Sequence, residues 1–240
     1  YSECIIHLPH SYQVNDNTRV ISASTPTKSE LGLPENGFIF CCFNSNYKIS
    51  PSEFNIWMRL LKEVKGSVLW LLRSNQWADC NLRTEAESRG ISGNRLVFAE
   101  LIPQAEHLAR LQLADLFIDT FNVNAHTTAS DALWAGLPVV TKLGQGFAAR
   151  VAGSLLKVID LPELITETER EYEELILGLA TNPKRLTKIK KKLALNRLSK
   201  PLFNTELFTK HLENGYQQAY DRYFSGQKPD KINVPVDLPQ

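Results

Sequence analysis

The chain reads as an α/β protein: a Rossmann-like parallel sheet with helices on both faces, continued by C-terminal helices. Three observations predict this. Short, unbroken apolar runs recur between residues 38 and 159, and a strand buried on both faces is apolar throughout. Each run is followed by a segment whose apolar residues repeat at helical spacing, the pattern of βαβ units. Beyond residue 168 the strand-like runs stop and only helical periodicity remains. With 240 residues and 43% hydrophobic content, the chain is long enough to bury one large core.

Residues 1–28 form a lead-in segment and linker. Residues 4–8 suit a short strand, and Ser22, Ser24, Thr25 and Pro26 mark a linker. His7 and His10 flank Pro9; they are candidate ligands or, more simply, surface and packing residues. Residues 29–200 carry the alternation. The expected strands are 38–43, 68–72, 95–98, 116–118 and 138–141, with a possible sixth at 156–159. The expected helices are 51–64, 82–89, 104–112, a short one from Thr127 to Gly136, and 147–155. Helices 169–180 and 183–198 follow. Residues 201–225 form a last long helix capped by Asn204 or Thr205, and residues 226–240 read as an exposed tail.

Composition narrows the function. The formal charge of +1 supplies no field for nucleic acid or an anionic membrane. The basic run Lys184, Arg185, Lys188, Lys190, Lys191 and Lys192 lacks aromatic partners and suits a solvated helix face. No apolar run approaches the roughly 18 residues of a membrane-spanning helix. Cys4, Cys41, Cys42 and Cys80 have neither zinc spacing nor the look of a disulfide framework, which suits a reducing, cytoplasmic setting. The opening Tyr1-Ser2-Glu3 reads as the middle of a longer protein.

The most informative stretch is 119–141. It reads as a strand end, a polar loop, a short helix, a Gly-Pro turn and another strand. Gly136 suits a left-handed C-terminal cap, and Pro138 prevents continuation. The first helical turn offers backbone N–H groups beside His126, Thr127 and Thr128, an arrangement that attracts anions. Asp131, one turn later, can accept hydrogen bonds from a diol. Phosphate donors followed by a diol acceptor suggest a nucleotide or nucleotide-sugar site. Alternatively, Thr127, Thr128 and Asp131 only cap the helix, the latter two as a capping box.

Six strands in this alternation predict the order 3-2-1-4-5-6, with a ligand at the strand carboxyl ends where winding reverses between strands one and four. The loop Asn44-Ser45-Asn46-Tyr47-Lys48 then faces residues 120–126. Lys48 is placed to pair with phosphates held at Thr127 and Thr128, unless it is an ordinary surface lysine. In the loop after strand three, His107 could stack on a flat base with Arg110 on the same face, or be a partly exposed helix residue. No GxGxxG follows strand one and no GxxxxGK[ST] occurs, which argues against a usual dinucleotide site and a P-loop. No His/Asp/Glu cluster has metal-ligand spacing, so no metal is expected.

Several long motifs carry a resemblance. Phe40-Cys41-Cys42-Phe43-Asn44-Ser45-Asn46-Tyr47-Lys48-Ile49, Ser67-Val68-Leu69-Trp70-Leu71-Leu72-Arg73, and Glu106-His107 followed by Gln112-Leu113-Ala114-Asp115 are three of them. His126-Thr127-Thr128 with Asp131-Ala132-Leu133-Trp134-Ala135-Gly136, and Pro201-Leu202-Phe203-Asn204-Thr205, are two more. In this order they resemble the C-terminal half of the catalytic region of O-linked N-acetylglucosamine transferases, SPINDLY-like proteins included. Tyr1-Ser2-Glu3 and Leu8-Pro9-His10 resemble the segment leading out of the N-terminal half in bacterial relatives.

The resemblance implies the C-terminal half of a GT-B glycosyltransferase, inverting and metal-independent, that moves N-acetylglucosamine from UDP-N-acetylglucosamine to Ser/Thr of proteins. It implies that Lys48 binds the diphosphate and stabilises the leaving UDP, with Tyr47 beside the reacting centre. His126, Thr127 and Thr128 would hold the phosphates, His107 would stack on uracil with Arg110 nearby, and Asp131 would bind the ribose. Two positions depart from the animal enzymes: Gln104 stands for a lysine and Ser45 for a glutamine, which bears on donor affinity and sugar identity. Acceptor recognition is implied for an N-terminal half and helical repeats outside this chain, so the chain alone is expected to bind a nucleotide without catalysing transfer. Competing expectations are a relative that glycosylates asparagine or uses UDP-glucose, a UDP-sugar epimerase of the same shape, and a non-catalytic nucleotide-binding or interaction module.

Overall fold

The computed structural model describes residues 2–237, so Tyr1 of the lead-in motif and the last three residues of the expected tail lie outside the described residues. The chain divides into two compact units, residues 20–197 and a smaller one built from residues 1–19 and 198–240. Strand β1 (Ile6–His7) belongs to the smaller unit.

The larger unit is built on a six-stranded sheet: β2 (Ile39–Cys42), β3 (Val68–Leu72), β4 (Leu96–Ala99), β5 (Leu116–Ile118), β6 (Val139–Lys142) and β7 (Ile165–Thr166). The order is β4-β3-β2-β5-β6-β7, and every neighbouring pair is parallel. Counted from β2, this is the expected 3-2-1-4-5-6. Register sets Phe40 against Leu69 and Leu116, and Phe117 against Val139. Ile39, Cys41, Cys42, Leu69, Trp70, Leu116 and Phe117 are wholly buried, as side chains covered on both faces must be.

Helices α1 (Pro51–Glu63), α2 (Gln76–Ser88), α3 (Gln104–Leu111), α4 (Thr127–Ala135), α5 (Val151–Val158), α6 (Glu169–Thr181) and α7 (Pro183–Ser199) alternate with or follow the strands. Crossovers between parallel strands are right-handed as a rule, so connections that run outward in both directions from β2 and β5 distribute helices to the two faces. Accordingly α1 packs with α6, and α3 packs with α4.

Local signals explain most boundaries. Glu53 Oε1 accepts from the Ser50 amide at 2.7 Å as part of a capping box that starts α1. Gly136 ends α4 in the left-handed conformation at φ 87°, as expected. Helix α2 begins six residues earlier than the apolar spacing suggests, because Asn75 caps it by accepting from the Ala78 amide at 2.9 Å.

The possible strand at 156–159 is corrected. Leu156 and Val158 lie in α5, whose Leu155 and Leu156 are fully buried. A short apolar run does not by itself tell a buried helix from a buried strand. The sixth strand is β7, held by Thr141↔Ile165 and Lys142↔Thr166.

In the smaller unit β1 pairs in parallel with β8 (Ile232–Asn233), and Gly215 of α8 (Thr205–Phe224) lies so close that an added Cβ would meet Ile6 Cγ2 at 2.7 Å. Asn204 caps α8 by accepting from the Leu207 amide at 2.9 Å. Residues 226–231 are exposed, but Ile232 and Val234 are buried, which corrects the reading of that stretch as tail. His7 is exposed; His10 packs edge-on against His211 at 5.4 Å. The basic run of α7 buries Leu186, Ile189 and Leu193 and turns Lys192 to Glu163 at 3.0 Å. Among the described residues no helix is long and apolar enough to cross a membrane, and no group of three or more His, Cys, Asp or Glu could hold a metal ion.

Candidate functional site

Parallel strands all end on one side, so the loops after β2 and β5, adjacent in the sheet, must meet there. They do. Lys48 Nζ donates to the backbone oxygen of Asn124 at 3.4 Å, across 76 residues of sequence. Lys48 closes a one-turn helix, Asn46–Lys48, that begins four residues after the last residue of β2. Ser45 is the N-terminal residue of that turn and is half-buried. Tyr47 projects outward, 81% exposed.

Under this crossing lies a buried polar network that the sequence analysis did not single out. Asn44 Nδ2 donates to Asp119 Oδ1 at 3.0 Å and to Thr120 Oγ1 at 2.8 Å. Its Oδ1 accepts from Thr128 Oγ1 at 2.7 Å. Asp119 Oδ1 also accepts from the amides of Thr120 at 2.8 Å and Ala125 at 2.7 Å, while Oδ2 accepts from Thr141 Oγ1 at 2.7 Å. Asp119 is fully buried, and desolvation raises its pKa to about 6 despite these four donors. The one legible signal was a carboxylate directly behind the apolar run 116–118. Such a group is buried by the sheet and must be satisfied there. From α6, Tyr172 donates its hydroxyl to the Asp119 carbonyl at 2.9 Å and accepts from Trp57 Nε1 at 3.1 Å.

The network sets the first turn of α4 in place. His126 is its N-cap residue but makes no side-chain capping bond, and the helix carries no acidic residue in that turn. The capping-box reading of Thr128 and Asp131 therefore does not describe the start of α4. Thr127 is exposed, Thr128 and Asp131 are half-buried, and His126 Nε2 lies 3.3 Å from the Ala148 oxygen. The segment before it is pinned by Asn124, whose amide donates to the Ala148 oxygen at 2.9 Å and whose Nδ2 donates to the Thr120 oxygen at 2.7 Å.

On α3, Gln104 is the exposed first residue. His107 is half-buried and tilts against Phe43 at 5.4 Å. Arg110, only 1% exposed, donates from Nη2 to His107 Nδ1 at 2.8 Å and from Nη1 to the Glu100 oxygen at 2.6 Å, and lies over the Phe43 ring at 4.9 Å. A guanidinium only donates, so His107 Nδ1 accepts and the ring proton sits on Nε2. Desolvation and the Arg110 charge lower the His107 pKa to about 4, so the imidazole is neutral near pH 7. Arg110 thus lies on the same face of α3 as His107, buried beneath the imidazole it bonds.

The chemistry assembled here is a lysine ammonium, the N-terminus of a nine-residue helix without a side-chain cap, a carboxylate one turn in, and a neutral imidazole on the neighbouring helix. Together they can meet a diphosphate, a diol and a flat ring.

The model of glycosyl transferase family 41 matches residues 5–212. A probable UDP-N-acetylglucosamine–peptide N-acetylglucosaminyltransferase of Arabidopsis thaliana is 41% identical over 240 residues, covering 98% of this chain and 25% of that protein. The UDP-N-acetylglucosamine–peptide N-acetylglucosaminyltransferase of Caenorhabditis elegans is 35% identical over 213 residues, covering 89% of this chain and 18% of that protein. The chain thus spans about a quarter or less of the length of these relatives. Among solved structures, a mutant of the Thermobaculum terrenum O-GlcNAc transferase superposes with a TM-score of 0.72 at 29% identity, over 81% of this chain and 38% of that one. Sucrose-phosphate synthase of Thermosynechococcus elongatus, with a TM-score of 0.59 at 17% identity over 82% of this chain and 50% of that one, shares the fold.

Proposed function

The chain belongs to glycosyl transferase family 41, and on that premise we propose that it is the donor-binding part of a protein O-glycosyltransferase that uses UDP-N-acetylglucosamine. The observation that carries this is the crossing of Lys48 over Asn124 at the reversal of winding, which brings an ammonium group to the N-terminus of α4, a helix start without a side-chain cap. In this reading the diphosphate is held by the first-turn N–H groups of α4, His126 and Lys48. Asp131 takes the ribose hydroxyls, and neutral His107 faces the uracil. An acceptor hydroxyl attacks the anomeric carbon and gives its proton to a base supplied by the rest of the whole protein or by the departing diphosphate; the anomeric C–O bond to UDP breaks, and its electron pair passes to the β-phosphate oxygen. Lys48 and the α4 N-terminus meet that charge, where preorganised donors lower the barrier most. In this reading Tyr47, exposed and adjacent to Lys48 in the chain, lies beside the reacting centre.

Relatives are four or more times longer, so acceptor binding and turnover are assigned to the whole protein, and this chain by itself binds the nucleotide without transferring sugar. Calorimetric titration with UDP in chelator-treated buffer tests the reading. Saturable binding that Lys48→Ala and His126→Ala each weaken by roughly tenfold or more supports it, as loss of a charge-assisted contact predicts. Folded protein that does not bind UDP, or binding indifferent to both changes, overturns it.

A further inference from the structure

The groups of the α4 first turn do not all face a ligand on equal terms, and the polar network beneath them decides which can. Asn44 is 2% exposed, and its side chain is fully engaged: both Nδ2 protons are given away, to Asp119 and Thr120, and Oδ1 takes the Thr128 hydroxyl. A hydroxyl has one proton to donate. That of Thr128 goes to Asn44 at 2.7 Å, so its oxygen presents only lone pairs elsewhere. A phosphate oxygen is an acceptor and gains nothing from lone pairs.

The direction of this chain of bonds is fixed from the buried end. Asp119 Oδ1 already faces the Thr120 and Ala125 amides. Turning the Asn44 amide over would set its oxygen against that carboxylate oxygen, acceptor on acceptor, where burial makes the clash costly. Asp119 therefore holds the Nδ2 side of Asn44, and Asn44 in turn presents an acceptor to Thr128.

Resting on the donor-site reading above, we propose that Asn44 is a positioning residue that takes up the Thr128 hydroxyl proton, ties the α4 first turn to the end of β2, and leaves phosphate recognition there to backbone N–H groups and Lys48. Thr128 is then a tether whose hydroxyl works through Asn44. Its backbone, held by that tether, faces the phosphates.

The test is titration of the chain with UDP and with uridine, using wild type, Thr128→Ser, Thr128→Val, Asn44→Ala and the Asn44→Ala/Thr128→Val double variant. Thr128→Ser keeps the link and is expected to bind UDP within about twofold of wild type. Thr128→Val and Asn44→Ala each cut the link and are expected to weaken UDP by roughly tenfold while uridine affinity holds, the worth of one lost buried hydrogen bond. Because both remove the same link, the double variant is expected to bind no worse than the weaker single one. Losses that multiply would mean the Thr128 hydroxyl meets phosphate directly, and an Asn44→Ala variant with unchanged UDP affinity would remove its positioning role; either result overturns the proposal. Wild type that fails to bind UDP strikes the donor reading itself, a distinguishable outcome. Circular dichroism checks folding, and Asn44→Ser takes the place of Asn44→Ala in the cycle if the alanine variant does not fold.

Discussion

Arg110, buried on α3, donates from Nη2 to Nδ1 of His107 at 2.8 Å and leaves the imidazole's remaining N–H on the opposite nitrogen. A cation that supports a histidine from beneath holds it neutral, because protonating Nδ1 would break the bond and set two positive charges together. Arg110→Met removes that charge and leaves the burial. The His107 pKa is then expected to rise from about 4 part of the way towards 6.5. Burial is the larger cause of the lowering and the Arg110 charge the second, so a histidine proton titration followed by NMR measures the Arg110 share, and an unchanged midpoint would leave burial alone as the cause. The same substitution strands the Glu100 carbonyl and is expected to cost about 1–3 kcal/mol of stability.

Asp119 ties pH to stability. Its folded pKa of about 6 lies above the ordinary aspartate value of 3.8, so the folded protein holds this proton more tightly than the unfolded chain does. The contribution of Asp119 is fully present below pH 3.8 and is lost as pH rises through about 6. In Asp119→Asn the amide oxygen can keep the three donors at Oδ1, and the amide nitrogen can face Thr141. The stability difference, wild type minus variant, is therefore expected to fall between about pH 4 and 6 and to level off above about 7. Urea unfolding of both proteins across that range checks it; a difference that stays flat or grows with pH contradicts the assignment.

Tyr172 joins two helices and a strand through one oxygen, donating to the Asp119 carbonyl and accepting from Trp57. Tyr172→Phe keeps the ring against Phe121, 4.9 Å away, and deletes only the two bonds. It is expected to lower unfolding free energy by about 1–3 kcal/mol, read from the denaturation midpoint. A loss under about 0.5 kcal/mol would mean that water replaces the hydroxyl.

The thiols divide by burial. Cys41 and Cys42 are wholly enclosed in β2, and desolvation pushes both far above the ordinary thiol range, while Cys4 and Cys80 are exposed. A thiolate-directed reagent at pH 8 is expected to modify Cys4 and Cys80 in the native protein, and all four thiols only after unfolding. Mass-spectrometric peptide mapping distinguishes this from native labelling of β2.

Much of the fold was legible because side-chain polarity repeats with backbone geometry. The runs at 38–43, 68–72, 95–98, 116–118 and 138–141 match five strands to within a residue at each end, and their alternation with helices sufficed for the order of those five. Gly136 and Asn204 act as caps because capping depends on the residue itself. The sixth strand was not legible, because β7 is two residues long and borrows its pairing from β6. Nor was β8, whose partner β1 lies at the other end of the chain.

At the candidate site, local sequence determined what each loop could offer: a lysine after the first strand of the sheet, His126 and Thr127 at a helix start, an imidazole on α3. Tertiary structure decided what those groups are free to do. It buried Arg110 beneath His107, its neighbour one turn away on α3, and it committed the Thr128 proton to Asn44 and closed Lys48 over Asn124 through bonds between residues brought together by folding. Periodicity reports burial along one element, whereas the direction of a hydrogen bond depends on the partner that packing supplies. Asn44 and Asp119 lie 75 residues apart and meet because β2 and β5 are neighbours in the sheet.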